Sequence, residues 1–155
     1  MPLADLLPPD QLFSLSGSVA MLAWLGLALS PARARGAGWA RTFAGRVVPL
    51  ALALLYVALF AAHGMGDGGF GSLEAVRRLF DVPGLLVAGW VHYLAFDLFV
   101  GAWIAERAGA IGLPHLIVLP LLALTFLFGP AGFLAFVIVR AAWTAARPAA
   151  ASPAA

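Results

Sequence analysis

Residues 84–107 read GLLVAGWVHYLAFDLFVGAWIAER and decide the fold of this chain. The stretch is long and apolar enough to cross a bilayer as an α-helix, which takes about 20 residues at 1.5 Å each. It nevertheless carries His92, Tyr93 and Asp97 near its middle. A carboxylate at the centre of a spanning helix costs roughly 2.5–3.5 kcal/mol on insertion scales, so such a group faces protein or enclosed water and usually has a function. We therefore predict a bundle built around this helix.

The composition of the whole chain indicates a membrane protein. Of its 155 residues 63% are hydrophobic and 10% are charged, and the mean hydropathy is +0.99. Soluble domains carry about 25% charged residues, and a soluble fold of this length cannot bury so much apolar surface. We predict an integral membrane protein in contact with membrane lipid. The absence of cysteine excludes disulfides and thiolate metal sites, and the absence of lysine excludes a Schiff base with retinal.

The hydropathy pattern predicts an all-α bundle of four transmembrane helices that forms a single domain. Residues 73–80 place apolar and charged side chains on opposite faces, which is typical of a short amphipathic helix that lies in the membrane interface between helices 2 and 3. The tail contains only Ala, Pro and Ser, and we predict that residues 148–155 are disordered. The predicted domain covers residues 1–147, with helices at about 11–29, 47–63, 84–106 and 114–143, the last kinked at Pro120 and Gly129-Pro130.

The arginines predict the orientation of the bundle in the cell membrane. The loop between helices 1 and 2, residues 31–46, contains four arginines and no acid, and such loops lie on the cytoplasmic side. With four spans, both termini of this multi-pass protein then lie outside. The net charge is only +2, and the arginines cluster as a topology signal, so we expect no nucleic-acid partner. The first ten residues have no basic region, so we expect the first apolar segment to remain in the mature protein.

One stripe of the central helix combines an acid and a tyrosine with two glycines. These residues recur every four positions and therefore lie on one helix face: Gly89, Tyr93, Asp97 and Gly101. The glycines let another helix approach closely, and the tyrosine hydroxyl can donate a hydrogen bond to the carboxylate. One interpretation makes Asp97 a general acid/base assisted by Tyr93, with His92 as a second relay. The alternative is a hydrogen-bonded carboxyl that holds helices together.

A second stripe of the same helix is aromatic. It begins at His92, about 140° around the helix from Asp97, and ends at Glu106. A long, flat apolar ligand would fit along such a stripe, and helix 4 carries a matching face that includes Phe126. The alternative is ordinary aromatic packing with a lipid-facing edge. Between its two ends the aromatic stripe consists of Phe96, Phe99 and Trp103.

Two charged positions on helix 4 complete the candidate ligand-binding set. Because the connection between helices 3 and 4 is short, we expect His115 to lie near Glu106 at the cytoplasmic edge; the alternative is that both side chains only snorkel to the interface. Arg140, predicted at the opposite side of the membrane, can pair with an acid or bind a lipid phosphate. The three histidines show no tight ligand spacing, so we predict neither a metal site nor another cofactor.

The second half of the chain resembles the abscisic-acid-deficient-four-like family of small four-helix membrane proteins. The resemblance rests on the runs VHYLAFDLFVGAWI at 91–104, GLPH at 112–115 and LTFLFGPAG at 124–132. Plant plastid members are required to form neoxanthin from violaxanthin, an isomerisation in which an epoxide opens while an allene forms. That reaction needs proton transfer and no redox cofactor. The resemblance implies a carotenoid or isoprenoid context, in which Asp97, Tyr93 and His92 are candidates by position for the acid/base chemistry.

Two functions of different classes stay open from the sequence. The first is an isomerase that acts on a carotenoid-like or other isoprenoid lipid. The second is a non-catalytic subunit that binds pigment or lipid, or that supports a partner membrane enzyme or a second copy of itself. A carrier of protons or solutes is disfavoured because polar residues are few and the two halves show no inverted repeat. The first ten residues are not rich in arginine and serine, so we expect no plastid transit peptide, and the substrate stays open.

Overall fold

The computed structural model describes residues 7–32 and 34–146, and all regular structure in them is helical. Three helical rods are long and apolar enough to cross a membrane. The tail predicted to be disordered, 148–155, lies outside the described residues. In chain order the helices are α1 (Pro9–Ala28), α2 (Ala37–Thr42), α3 (Val48–His63), α4 (Leu73–Phe80), α5 (Pro83–Ala110), α6 (His115–Phe128) and α7 (Pro130–Ala145).

The second rod is longer than predicted because it begins at Ala37 rather than near residue 47. From α2 the helix continues through a π-helical segment, Phe43–Val47, into α3 without a break. The first turns of this helix contain polar residues, so the hydropathy pattern did not indicate that they belong to it. A Cβ added at Gly45 would lie 2.7 Å from the Cβ of Ala102, so this glycine allows the π-helical segment to pack closely on α5.

The predicted amphipathic helix forms over the predicted residues as α4. Ser72 Oγ accepts a hydrogen bond from the backbone N–H of Ala75 at 3.1 Å, which is the hydrogen bond of an N-cap. On the exposed face Glu74 forms ion pairs with the two arginines that follow one turn later. On the other face the ring of Phe80 lies against Gly89 of α5. The location of α4 in the membrane interface stays a prediction.

The central helix of the bundle is α5, which packs against α1, α3, α6 and α7. Apolar side chains along it, such as Leu98 and Ile104, are fully buried. Gly101 lies directly under the indole of Trp24 from α1, and a Cβ at this position would collide with that ring. The glycines of the predicted stripe thus let neighbouring side chains approach the backbone of α5.

The predicted fourth span is a hairpin of two helices rather than one kinked helix. α6 ends at Phe128 and α7 begins at Pro130, with Gly129 alone between them. Gly129 has φ +27° and ψ −86°, a backbone conformation that glycine adopts more readily than residues with a side chain. Pro130 has no N–H with which to continue the hydrogen bonds of α6. These two residues therefore end one helix and start the next.

Contacts at both ends of α7 establish that it runs antiparallel to α6. Near the turn, Gly132 packs against Thr125 of α6. At the far end, the indole N–H of Trp143 donates a hydrogen bond of 3.2 Å to the carbonyl of Ile111, which precedes α6. A single helix through this region would hold residues 111 and 143 about 48 Å apart. The chain therefore reverses direction at Gly129.

The hairpin reaches only to the middle of α5, where its turn lies beside Asp97. α6 has 14 residues and is about 21 Å long, shorter than the hydrocarbon core of about 30 Å. The start of α1 lies near the start of α5, whereas the end of α7 lies near the end of α5. The described ends of the chain are therefore at opposite ends of the bundle. This contradicts the prediction that both termini emerge on one side, because hydropathy detects an apolar segment without detecting its reversal.

Candidate functional site

Asp97 lies inside the bundle at the turn of the hairpin. The residue is 9% exposed, and its carboxylate is packed so closely on Gly129 that a Cβ there would collide with Oδ1. The other oxygen, Oδ2, is buried and has no hydrogen-bond partner among the described residues. Buried polar atoms are nearly always hydrogen-bonded. The unpartnered oxygen therefore marks Asp97 as a site whose chemistry must be explained.

The Tyr93 hydroxyl lies at the C-terminal end of α6. Its oxygen is 3.1 Å from the carbonyl oxygen of Phe126 and 3.2 Å from that of Leu127, and it donates to this pair. These carbonyls have no intrahelical N–H partners because α6 ends one residue later. The sequence predicted Asp97 as the acceptor. In the structure the hydroxyl donates instead to the two carbonyls at the end of α6, and Asp97 Oδ2 has no hydrogen-bond partner among the described residues. Asp97 lies close enough to the hydroxyl to interact with it electrostatically.

The ends of the two hairpin helices place complementary partial charges at the turn. The C-terminus of α6 carries partial negative charge and faces the O–H of Tyr93. The N-terminus of α7 carries partial positive charge, and the carboxylate of Asp97 lies against Gly129, which precedes it. Such interactions are screened less in apolar surroundings than in water. Both polar side chains therefore stabilise the hairpin in addition to any chemical role.

An apolar groove opens in the half of the bundle that the hairpin does not reach. It lies between α1 and α5, has a volume of about 930 Å³, and is called here the α1–α5 groove. One end of the groove is near Asp10, and the other end is at Tyr93 and the last turn of α6. Between these polar ends the lining is apolar and includes Phe13, Met21, Phe80, Trp90, Leu94 and Phe126.

Aromatic rings from three helices form the sides of the α1–α5 groove. Phe13 of α1 lies 5.1 Å from Trp90 of α5, which stacks in turn on Tyr93 at 5.5 Å, measured between ring centroids. Phe126 packs edge-on against Trp24 at 5.6 Å. Of these rings the sequence singled out only Tyr93 and Phe126. The one signal for the others was the length of predicted helix 4, which exceeds one span and is compatible with a reversal that leaves space open.

The aromatic stripe on α5 is divided between two neighbours of that helix. His92 stacks on Phe96 at 4.6 Å, and both side chains are exposed on the outer surface beside α3. Trp103, farther along, turns towards α7 and packs against its phenylalanines. His92 is not brought to Asp97, because positions 140° apart on a helix face different neighbours. The predicted relay through His92 is therefore not supported by the geometry.

The remaining candidate residues lie at the end of the bundle where α5 ends. His115 Nε2 is 2.8 Å from the carbonyl oxygen of Ala28, and no ion pair between His115 and Glu106 occurs among the described residues. Glu106 and Phe99 instead line a cavity at this end. Arg140 is exposed on α7, and it lies at the same end as His115 rather than at the opposite one, because α7 runs back.

The comparison with known families covers most of the chain. The model of the ABA DEFICIENT 4-like family matches residues 11–136, a region that contains Tyr93, Asp97 and the turn at Gly129. No curated protein matches the chain, and no solved structure matches it. The matched region exceeds half of the chain and agrees with the sequence runs quoted above. The chain belongs to the ABA DEFICIENT 4-like family.

Proposed function

We propose that this membrane protein holds a carotenoid or other isoprenoid lipid in the α1–α5 groove and isomerises it by proton transfer. One observation carries the proposal: an apolar groove ends at the hydroxyl of Tyr93, and behind it lies Asp97, whose buried Oδ2 has no hydrogen-bond partner among the described residues. The groove volume of about 930 Å³ suits a small-molecule site, in which apolar walls supply affinity and a few polar groups fix orientation.

The proposed reaction moves protons and leaves the composition of the lipid unchanged. The polyene carbon next to an epoxide loses its proton, and the electron pair of that C–H bond forms a second double bond, which makes an allene, as the C–O bond on the neighbouring carbon opens. The oxygen of that epoxide gains one proton, so neither an oxidant nor a reductant is needed. Tyr93 contacts the substrate and delivers the proton to oxygen. After this transfer the Tyr93 oxygen takes up the proton released from carbon, which restores the hydroxyl. Asp97 acts through Tyr93 by holding a proton of the hydroxyl transiently between the two transfers.

We also propose that the protein lies in the cell membrane with the α1–α5 groove opening towards the outside. Among the described residues, one end of the bundle is rich in arginine and has Glu106 as its acid, which is typical of a cytoplasmic side. The hairpin contributes to this asymmetry by returning Arg140 to the arginine-rich end. At the other end the arginines of α4 are paired with Glu74. The arginines of the proposed cytoplasmic end are Arg35, Arg41, Arg46, Arg107 and Arg140.

Pigment analysis in a carotenoid-producing host tests the proposed reaction. We expect the native chain to yield a new isomer of unchanged mass, and we expect Asp97→Asn and Tyr93→Phe to abolish it at equal levels of inserted protein. Tyr56→Phe is the matched control, because it removes the other tyrosine hydroxyl of the chain, which lies on α3 outside the groove. Product formation by Asp97→Asn at the native rate would contradict the catalytic proposal.

A non-catalytic function is the second candidate, and the structure offers one observation in its favour. The Tyr93 hydroxyl already donates to carbonyls at the hairpin turn, and the Asp97 carboxylate packs against Gly129 there, so both residues have a structural role without any reaction. The protein would then bind pigment or lipid in the groove, alone or in support of a membrane enzyme or a second copy of the chain. In that case pigment co-purifies with the native protein and with Asp97→Asn, and no new isomer forms with either.

A further inference from the structure

We propose that the arginine-rich end of the bundle binds the phosphate headgroup of a membrane lipid, a function separate from that of the α1–α5 groove. A cavity of about 560 Å³ lies here between the second rod and the C-terminal half of α5. Two arginines and one glutamate line its polar side, and two aromatic rings line its apolar side. We call it the arginine cavity, and these residues are Arg41, Arg46, Glu106, Phe99 and Trp103.

The π-helical segment Phe43–Val47 explains how two arginines five positions apart line one cavity. In a regular α-helix, with 3.6 residues per turn, such positions lie about 140° apart around the axis. A π-helix closes hydrogen bonds between residues five positions apart, so these positions stack on one face. Arg41 lies in α2, two residues before this segment, and Arg46 lies within it, so the wider π-helical turn between them brings both arginines to the same cavity. Single-turn π segments inside α-helices occur frequently at functional sites.

The charges of the arginine cavity favour an anion. Within the described residues all ion pairs belong to α4 and the residue after it, so neither arginine of the cavity is neutralised by a salt bridge. Arg41 is half-buried and also lines an adjoining cavity of about 330 Å³. Glu106 offsets only one of the two guanidinium groups. Arginine binds phosphate oxygens through paired hydrogen bonds, and this makes a phosphate headgroup a suitable ligand.

The apolar side of the arginine cavity favours a lipid over free phosphate. Phe99, which lines the cavity, is 52% exposed, and Phe96, one turn nearer the middle of α5, is 60% exposed. These rings lie on the outer surface of a helix that crosses the membrane, so a lipid tail can follow them from the cavity towards the centre of the bilayer. A free phosphate ion would gain nothing from this contact. We therefore assign the ligand as a lipid with an exposed phosphate.

Native mass spectrometry of the detergent-purified protein tests this assignment, with phosphatidic acid as the probe and diacylglycerol of the same chains as its neutral counterpart. We expect selective retention of phosphatidic acid. Arg41→Gln and Arg46→Gln should each weaken it roughly tenfold, as expected for the loss of one charge-assisted contact. Glu106→Gln should strengthen it, because a carboxylate repels the headgroup. Arg35→Gln, an equal change of charge in the exposed loop outside the cavity, should leave it unchanged.

Several results would overturn the assignment. One is an equal loss of binding in Arg35→Gln, which would indicate a general effect of positive charge. Weaker binding of phosphatidic acid by Glu106→Gln would also overturn it, and so would equal binding of phosphatidic acid and diacylglycerol. A further contradicting result is displacement of the lipid by inorganic phosphate at the lipid's own concentration. The Glu106→Gln variant keeps the test decisive if an arginine variant folds poorly, because a gain of affinity does not arise from loss of the fold.

Discussion

Alanine at position 129 tests the contact that turns the hairpin. Gly129 has φ +27°, and positive-φ backbone costs a residue with a side chain roughly 1–2 kcal/mol. The new Cβ would also collide with the carboxylate of Asp97, and overpacking of this kind costs typically 1–3 kcal/mol. We therefore expect Gly129→Ala to lower the free energy of unfolding by about 2–5 kcal/mol. Steric-trapping measurements of unfolding in bicelles can resolve a change of this size.

A double-mutant cycle with Asp97→Ala separates the two contributions. Removing the carboxylate removes the collision and leaves the backbone strain, so Gly129→Ala should cost only about 1–2 kcal/mol in that background. Gly26→Ala is the matched control: Gly26 has open space around its Cα within α1, and alanine there should be neutral or slightly stabilising. Equal costs of Gly129→Ala in both backgrounds would refute the contact between Asp97 and the hairpin turn.

Three further predictions concern other parts of the bundle. Single cysteines at Asp10 and Thr144, in a chain without native cysteine, should react with an impermeant maleimide from opposite sides of vesicles; labelling from one side would contradict the hairpin topology. Gly101→Leu should lower the thermal unfolding temperature by several degrees, because its side chain collides with the indole that packs there; an unchanged temperature would contradict that packing. The hydrogen bond from Arg77 lowers the pKa of Glu74. The contribution of Glu74 to the stability of α4 should therefore be complete above the ordinary glutamate pKa of about 4.3 and disappear as pH falls through the lowered value. Hydrogen exchange of α4, corrected for intrinsic rates, should show this loss of stability, and a loss already above pH 6 would exclude Glu74 as its origin.

The features predicted well from the sequence depend on local pattern. The amphipathic residues of α4 and its cap at Ser72 are encoded within one short segment. The stripe on α5 follows from a spacing of four, and this spacing suffices to show that Asp97 and Tyr93 share a face with Gly101. Both the membrane class and the central position of α5 follow from composition and from the cost of an acid in lipid.

The features that the sequence did not reveal depend on contacts between distant segments. Gly129-Pro130 is compatible with a kink and with a reversal, and the outcome depends on Asp97 and Tyr93, more than thirty residues away. The α1–α5 groove was not foreseen because it exists only where the hairpin leaves half a span empty. The π-helical segment likewise shows no signature in its composition, so the shared face of Arg41 and Arg46 could not be predicted.

The reversal of the chain at Gly129 is tested most directly by the distance between nitroxide labels on α6 and α7. Leu116 is 81% exposed and Ala141 is exposed, so both positions accept a cysteine and its label. Packed antiparallel helices have axes 8–10 Å apart, and we predict an electron–electron distance below about 20 Å between the labels. A single helix would hold the same positions about 38 Å apart. A measured distance above about 35 Å would show that no hairpin forms.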